Sequence, residues 1–263
     1  LERDSESNPS RSYAILTDIS ELRATNAQLE RTNRELDRFA TVASHDLQEP
    51  LRKVAAFSSL VKRRYSDKLD EDGVRSLDFL ADAAQRMQRL ITELLAYSKL
   101  SSQPLNLQEV DTDALVADLV DQLETRISEN RAVIRTENLP VIQSDPVLLT
   151  QILQNLISNA VKYRGEADPE VRVTAETTEA GWTFTIADNG IGIDMRFSEK
   201  IFAPFQRLHT REAYEGTGIG LAVVRQAVER LGGTIHVESE PGEGSQFIFD
   251  LPRTPPRQPG TDA

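Results

Sequence analysis

Apolar, small or uncharged side chains recur near the start of the chain in steps that alternate three and four. They are Ile19, Leu22, Asn26, Leu29, Asn33, Leu36, Ala40, Ala43, Leu47, Pro50, Val54, Phe57 and Val61. That alternation is a heptad seam and predicts one long helix from Glu21 to about Tyr65. Pro50 is expected to break or bend it, because its ring crowds the preceding turn and it offers no N–H to the carbonyl of Asp46. With Ala40 at a and Ala43 at d, Asn26 and Asn33 also fall at a, while Leu22, Leu29 and Leu36 take d. Buried Asn at a costs stability but favours a fixed register and a two-stranded state. The same frame sets His45 at f, facing water, where its imidazole adds nothing to the seam. After a turn over Ser66–Gly73, a second helix is expected from Val74 to Leu100, with Leu77, Leu80, Ala84, Met87, Ile91, Leu94 and Ser98 on one stripe. Two helices joined by a short turn form an antiparallel hairpin, and two hairpins form a four-helix bundle. A single hairpin would leave the Leu22–Leu36 stripe bare, so a homodimer is expected. A coiled coil that only dimerises would carry the same seam.

Beyond Ser101-Ser102-Gln103-Pro104, read as a hinge, the period changes. Strand character at Leu105–Val110 is followed by a helix from Asp111 to about Glu129, then strands at Ala132–Thr136 and Val141-Ile142. Asp145-Pro146 opens the next helix with an acidic cap and a first-turn proline, and this helix runs to Tyr163. Strands at Val171–Glu176 and Trp182–Asp188 precede a loop-rich stretch. A helix at Ile219–Leu231 and strands at Thr234–Ser239 and Ser245–Leu251 complete the pattern. Helices on one side of a mixed or antiparallel sheet make a two-layer α/β sandwich. The fold class expected is therefore multidomain α and α/β: a helical hairpin forming a dimeric four-helix bundle, then the sandwich. The boundaries read as 1–18, 19–103, 104–252 and a flexible tail at 253–263. Residues 1–10 read as polar and loose, and Ser12–Ile19 as a short strand at the torn edge of an upstream domain.

Composition narrows the function. The formal net charge of -12 argues against a duplex nucleic acid partner, which needs a Lys/Arg stripe. The chain contains no Cys, so it has no disulfide framework and no thiolate site, which fits a reducing compartment. No apolar run reaches bilayer length, and Leu1–Arg11 lacks the apolar core of a secretory signal. A cytoplasmic location without direct membrane insertion is the expectation.

Four clusters in the second half carry candidate chemistry. Gln151, Asn155 and Asn159 are spaced by four and share a helix face. A neutral amide oxygen from Asn159 can coordinate Mg²⁺, a hard cation, and Lys162 and Arg164 just beyond can neutralise phosphate charge. An amphipathic helix with its polar side in water would look the same. Asp188-Asn189-Gly190-Ile191-Gly192-Ile193-Asp194 follows a strand; its first carboxylate can accept from the exocyclic amine of adenine, and the glycines let backbone approach the base. A surface turn has the same composition. Glu215-Gly216-Thr217-Gly218-Ile219-Gly220-Leu221 runs into a helix and aims amides at phosphates. It is neither a dinucleotide fingerprint, lacking the βαβ unit and ribose-binding acid, nor a Walker loop, lacking the Lys-Ser/Thr pair. Gly242-Glu243-Gly244-Ser245 reads mostly as a hairpin turn.

These motifs together resemble the sensor histidine kinases of two-component signalling, over roughly residues 19–252. The phosphoacceptor box is similar to His45-Asp46-Leu47-Gln48-Glu49-Pro50-Leu51, and the asparagine box to Asn155-Leu156-Ile157-Ser158-Asn159-Ala160-Val161-Lys162-Tyr163. The glycine boxes correspond to Asp188–Gly192 and Gly216–Leu221, and Phe202-Ala203-Pro204-Phe205 to the phenylalanine box of the mobile lid. The ATP-binding half also resembles the fold of heat-shock chaperone, mismatch-repair and type II topoisomerase ATPases.

The resemblance implies ATP-dependent phosphorylation of His45 at a ring nitrogen, with Asp46 as its hydrogen-bonding partner and general base, and transfer to an aspartate of a response regulator receiver domain. It implies Mg²⁺ at Asn159 and adenine at Asp188. The remaining nucleotide contacts would come from Asn155, Lys162, Tyr163, Gly190, Gly192, Gly216, Thr217, Gly218, Gly220 and Leu221. Relatives often carry Thr or Asn four residues past the histidine, thought to orient water for dephosphorylating the regulator. Here Glu49 stands there, and its carboxylate repels the regulator's acidic pocket, which leaves phosphatase activity open. The box with Glu49 and Pro50 is similar to that of phytochrome-like or PAS-linked kinases. Thr17-Asp18-Ile19-Ser20-Glu21 resembles the exit from a PAS domain, which implies an upstream sensor domain signalling through the coiled coil. Two other readings compete: a non-catalytic ATP-binding dimeric scaffold, and an ATPase clamp, the latter disfavoured by the acidic balance.

Overall fold

A computed structural model describes residues 2–3, 9–11, 46–100, 104–208 and 216–255. His45, the seam from Leu22 to Ala43, the Ser12–Ile19 segment, Ser101–Gln103, Glu215 and residues 256–263 lie outside the described residues. The chain divides into two compact units, Leu1–Phe39 and Ala40–Ala263. In the first, β1 (Glu2–Arg3) and β2 (Pro9–Arg11) pair antiparallel, with Glu2 opposite Arg11. The expectation of a loose segment over residues 1–10 is corrected at those positions, where backbone pairing holds residues that are mostly polar.

The second unit opens with the helical hairpin, α1 (residues 46–65) and α2 (Glu71–Leu100), joined by a 3-10 turn at Ser66–Lys68. α1 is not broken at Pro50: residues 46–65 are all helical. The proline is exposed, so the amide it lacks costs no buried hydrogen bond. α2 starts ahead of Val74 because the Asp70 carboxylate accepts from the Gly73 amide at 2.8 Å, a side-chain cap that draws Gly73 into the first turn. Lys62 pairs with Asp78 at 2.6 Å across the hairpin, and Gln48 donates to the Thr92 hydroxyl at 3.1 Å. Ala84 is buried, yet Leu47, Val54 and Phe57 of α1 and Leu80, Met87 and Leu94 of α2 are exposed. The apolar stripe predicted from spacing is thus only partly covered within one chain.

The α/β sandwich follows. β3 (Gln108–Asp111) pairs antiparallel with β5 (Val141–Ser144) in a small sheet. The main sheet has five strands in the order β4-β6-β7-β9-β8. These are β4 (Val133–Glu137), β6 (Glu170–Thr177), β7 (Gly181–Asp188), β8 (Ile235–Glu240) and β9 (Gly244–Pro252). β4 runs parallel to β6, and the other pairs are antiparallel, so the sheet is mixed.

The helix expected from Asp111 to Glu129 is two helices, α3 (Thr112–Gln122) and α4 (Glu124–Asn130). Asp111 caps the first through the amides of Asp113 and Ala114. The break falls at Leu123, whose amide is shared between the carbonyls of Leu119 and Val120, tightening the last turn. α5 (Pro146–Lys162) is capped by Asp145, which accepts from Val147 and Leu148. It buries Leu148, Leu149, Ile152, Leu153, Leu156 and Ile157 on one face, and that burial leaves Gln151, Asn155 and Asn159 on another. α6 (Gly220–Arg230) buries Ala222, Val224, Ala227 and Val228. Phe184 and Phe249 stack at 5.0 Å between strands β7 and β9 inside this core. The end of α2 joins the same core through Leu100, with Leu90 and Tyr97 packed against it.

Candidate functional site

Asp188 ends β7 and points toward the layer between sheet and helices. Its carboxylate accepts from the Gly190 amide at 2.8 Å. Burial pushes its pKa up to about 6, against the opposing pull of backbone N–H groups from Gly190 and Ser245. The turn after it is wedged between the end of α5 and the β8–β9 hairpin: Ile191 donates to the Tyr163 carbonyl at 3.0 Å and accepts from Gly242 at 2.8 Å. Gly192 has φ +68°, and a Cβ there would stand 1.9 Å from the Glu240 carbonyl oxygen, so only glycine fits. The hairpin cluster Gly242–Ser245 is therefore part of the site's wall as well as a turn, since Ser245 and Phe247 line the same cavity as Asp188.

That cavity is mostly apolar, with Asp188 as its one lining carboxylate and Asn159, Gln206, Arg207 and Ser245 as further polar lining groups. Ile191, Ile193, Ile201, Leu208, Leu221 and Phe247 form its walls. A flat heterocycle with one exocyclic donor fits such a lining. Asn159, Tyr163 and Leu221 are shared with a second, polar groove, so the two form one continuous cleft. The groove passes over Asn155, Lys162, Gly216, Thr217, Gly218 and Gly220, and reaches Arg126 on α4 and Arg89 and Glu93 on α2.

Its polar groups are tied down. The Lys162 amine donates to the Tyr163 hydroxyl at 2.7 Å and stands 4.1 Å from the centre of that ring. A Cβ on Gly216 would lie 2.8 Å from the same amine, which puts the charge against the glycine-rich loop. Arg207 donates to the Gly216 carbonyl at 2.7 Å, and the Phe205 amide to Gly218 at 2.9 Å. Gly218 has φ +78°, with the Gln206 carbonyl 2.8 Å from where a Cβ would be. The phenylalanine-box segment and the glycine loop thus brace each other. Asn155 gives its amide hydrogens to the Gln151 carbonyl at 2.8 Å, which turns its Oδ1 toward Gly220. The Thr217 hydroxyl donates to the Glu93 carboxylate of α2.

Among the described residues, no group of three or more His, Cys, Asp or Glu could hold a metal ion. The asparagine amide oxygens still suit Mg²⁺, which binds through few protein ligands and completes its shell with phosphate oxygens and water.

Of the residues expected from sequence, Asn155, Asn159, Lys162, Tyr163, Asp188, Gly192, Gly216, Thr217, Gly218, Gly220 and Leu221 line this cleft, and Gly190 supports Asp188. Asp46 is exposed at the start of the described part of α1 and does not line the cleft, and His45 lies outside the described residues. Sequence reasoning missed Arg89, Glu93, Arg126 and the apolar walls Ile193, Ile201 and Phe247. Ile193 lies within the Asp188–Asp194 motif and Ile201 beside the phenylalanine box, though neither was assigned to the wall, whereas nothing in helical spacing shows that Arg89 and Glu93 face the sandwich.

Residues 144–255 match the histidine kinase-, DNA gyrase B- and HSP90-like ATPase family, and residues 35–103 the histidine kinase A phospho-acceptor domain. The phytochrome-like protein Cph1 of Synechocystis is 42% identical over 238 residues, 90% of this chain and 32% of its own length. Cyanobacterial phytochrome A of Nostoc is 44% identical over 238 residues, covering 90% of this chain and 31% of that protein. The chain therefore spans about a third of these curated relatives. The crystal structure of full-length ShkA in complex with AMPPNP aligns at TM-score 0.65 and 28% identity, over 84% of this chain and 47% of that one. ThkA in complex with the response regulator TrrA shares the fold at TM-score 0.60, with 23% identity over 91% of this chain and 69% of that one. Among the described residues, no helix is long and apolar enough to cross a membrane. The helical hairpin, the ATPase sandwich and these relatives place the chain in the histidine kinase family, close to the phytochrome-like histidine kinases.

Proposed function

We propose that the chain is an ATP-dependent autokinase that phosphorylates His45 and passes the phosphoryl group to an aspartate of a response regulator receiver domain. The observation that carries this is the continuous cleft, mostly apolar around a single carboxylate at the Asp188 end and polar with Lys162 and the glycine loop at the other. Asp188 would accept from the exocyclic amine of adenine while Ile191, Ile193 and Phe247 enclose the ring. Lys162 and the amides of Gly216–Gly220 would hold the phosphates. Asn159 would hold Mg²⁺, which would supply neutralisation of phosphate charge.

In the transfer, a ring nitrogen of His45 forms a bond to the γ-phosphorus as the bond to the β–γ bridging oxygen breaks, and ADP leaves with that electron pair. Asp46 would fix the tautomer through the other ring nitrogen and take the proton that the ring gives up. Most of the rate comes from holding the γ-phosphoryl group in line with the ring.

The division into a hairpin at 19–103 and a catalytic sandwich at 104–252 belongs to this reading, with residues 1–18 as the remnant of an upstream sensor domain and 253–263 as a tail. So does the homodimer. The exposed Phe57, Leu80, Met87 and Leu94 would be covered by a second hairpin in a four-helix bundle. The structure of ThkA in complex with the response regulator protein TrrA supports a receiver domain as partner.

Incubation with γ-labelled ATP and Mg²⁺ tests the proposal. An acid-labile, alkali-stable label that disappears in His45→Gln is expected. Tight ATP binding with no label in the wild type would instead favour the non-catalytic scaffold.

A further inference from the structure

Glu93 is half-buried on α2, one turn beyond Arg89, and both line the polar groove with Lys162, Gly216 and Gly218. Its bond from Thr217 crosses from the sandwich to the hairpin. The neighbouring Thr92 accepts from Gln48, which follows His45 by three residues in the sequence. Residues 92 and 93 therefore tie the phosphoacceptor helix and the glycine loop to one level of α2. The loop is made to receive anionic oxygens: an ammonium stands against Gly216, and backbone amides lead into α6. In this structure the anionic oxygen bonded to Thr217 belongs to a protein carboxylate.

We propose that Glu93 is an anion placeholder, a positioning residue that holds the glycine loop through Thr217 and gives way when the triphosphate arrives. The inference rests on the cleft being an ATP site. A carboxylate and a phosphoryl oxygen are both negative and both accept from the same hydroxyl, so they exclude each other at Thr217. Displacement then depends on ligand charge: a triphosphate drives it strongly, a diphosphate less, and a nucleoside not at all. Releasing Glu93 unties α2 from the loop, which links occupancy of the cleft to freedom of the sandwich relative to the phosphoacceptor helix.

The test is calorimetric affinity of the full chain for ATP, ADP and adenosine, with and without Mg²⁺, in wild type, Glu93→Gln and Glu93→Lys. Gln keeps the shape and can still accept from Thr217, so only the charge changes. ATP affinity is expected to rise by about three- to tenfold from Glu to Gln at low salt, and further with Lys. The gain should be smaller for ADP, absent for adenosine, and reduced at high ionic strength.

The placeholder is overturned if both folded variants bind ATP no better than wild type, or if adenosine gains as much as ATP, as general loosening of α2 would produce. Weaker binding of Mg²⁺-loaded ATP alone in Glu93→Gln would make Glu93 a metal-side group and overturn it equally. Failure of all three proteins to bind ATP would sink the nucleotide reading and this inference with it, whereas the other adverse outcomes strike the inference alone.

Discussion

The carboxylate of Asp188 and the amide of Gly190 are 2.8 Å apart, and this bond holds the one acid among the described lining residues of a mostly apolar cavity. The arrangement carries a cost that pH reveals. Burial raises the Asp188 pKa from 3.8 to about 6, so the ionised form that would accept from adenine is fully present only above that value. Nucleotide affinity should hold above pH 7 and fall as pH drops through 6, by about tenfold at pH 5. Titration of binding against pH in Asp188→Asn, which lacks the group, separates this step from ionisation of the phosphates. A wild-type profile identical in shape to that of the variant would contradict the assignment.

The same shift predicts a trade of binding for stability. A raised carboxyl pKa means the folded state loses stability as pH rises from about 4 to 6, and stays penalised above that. Asp188→Asn should therefore raise the nucleotide-free melting temperature at pH 8 by a few degrees while weakening nucleotide binding. Calorimetric melting with and without ATP checks both halves; a lower melting temperature without ligand would count against the burial argument.

Lys162 is placed for the phosphate end, against Gly216 and braced by the Tyr163 hydroxyl at 2.7 Å. Lys162→Ala should lower autophosphorylation by about 10- to 100-fold and weaken ATP more than adenosine. Equal loss for both ligands would show that the side chain acts on the fold of the cleft and not on phosphate.

Phe57 is 63% exposed on the same stripe as Leu47 and Val54. A carboxylate there would be buried by the second hairpin of a dimer and tolerated in a monomer. Phe57→Glu should weaken self-association by more than about tenfold, read by light scattering at micromolar concentration, while leaving ATP affinity intact. A wild-type monomer at that concentration would remove the basis of the dimer.

Gly192 gives a stability test of the wall beside Asp188. An added methyl would meet the Glu240 carbonyl at 1.9 Å from a backbone at φ +68°. Gly192→Ala should cost about 2–4 kcal/mol in denaturant unfolding, combining the left-handed backbone with the clash.

Much of this arrangement was legible in the residues themselves. The cap at Asp145, the four-residue spacing of Asn155 and Asn159, and the acid ending β7 are local signals, and local rules read them. The split at Leu123 and the unbroken helical assignment of α1 through Pro50 were not, because each turns on how one turn is satisfied. Still less visible were Arg89 and Glu93: their place in the cleft comes from α2 packing on the sandwich through Leu90, Tyr97 and Leu100, a tertiary relation that no periodicity encodes.

The central claim is that this cleft delivers the terminal phosphoryl group of ATP to one imidazole. Tandem mass spectrometry of the ATP-treated chain, handled in alkali throughout, tests it most directly. The expected result is a phosphoryl group on His45 that is lost in Asn159→Ala. A phosphoryl group on a different side chain, or one on His45 that survives Asn159→Ala undiminished, would contradict it.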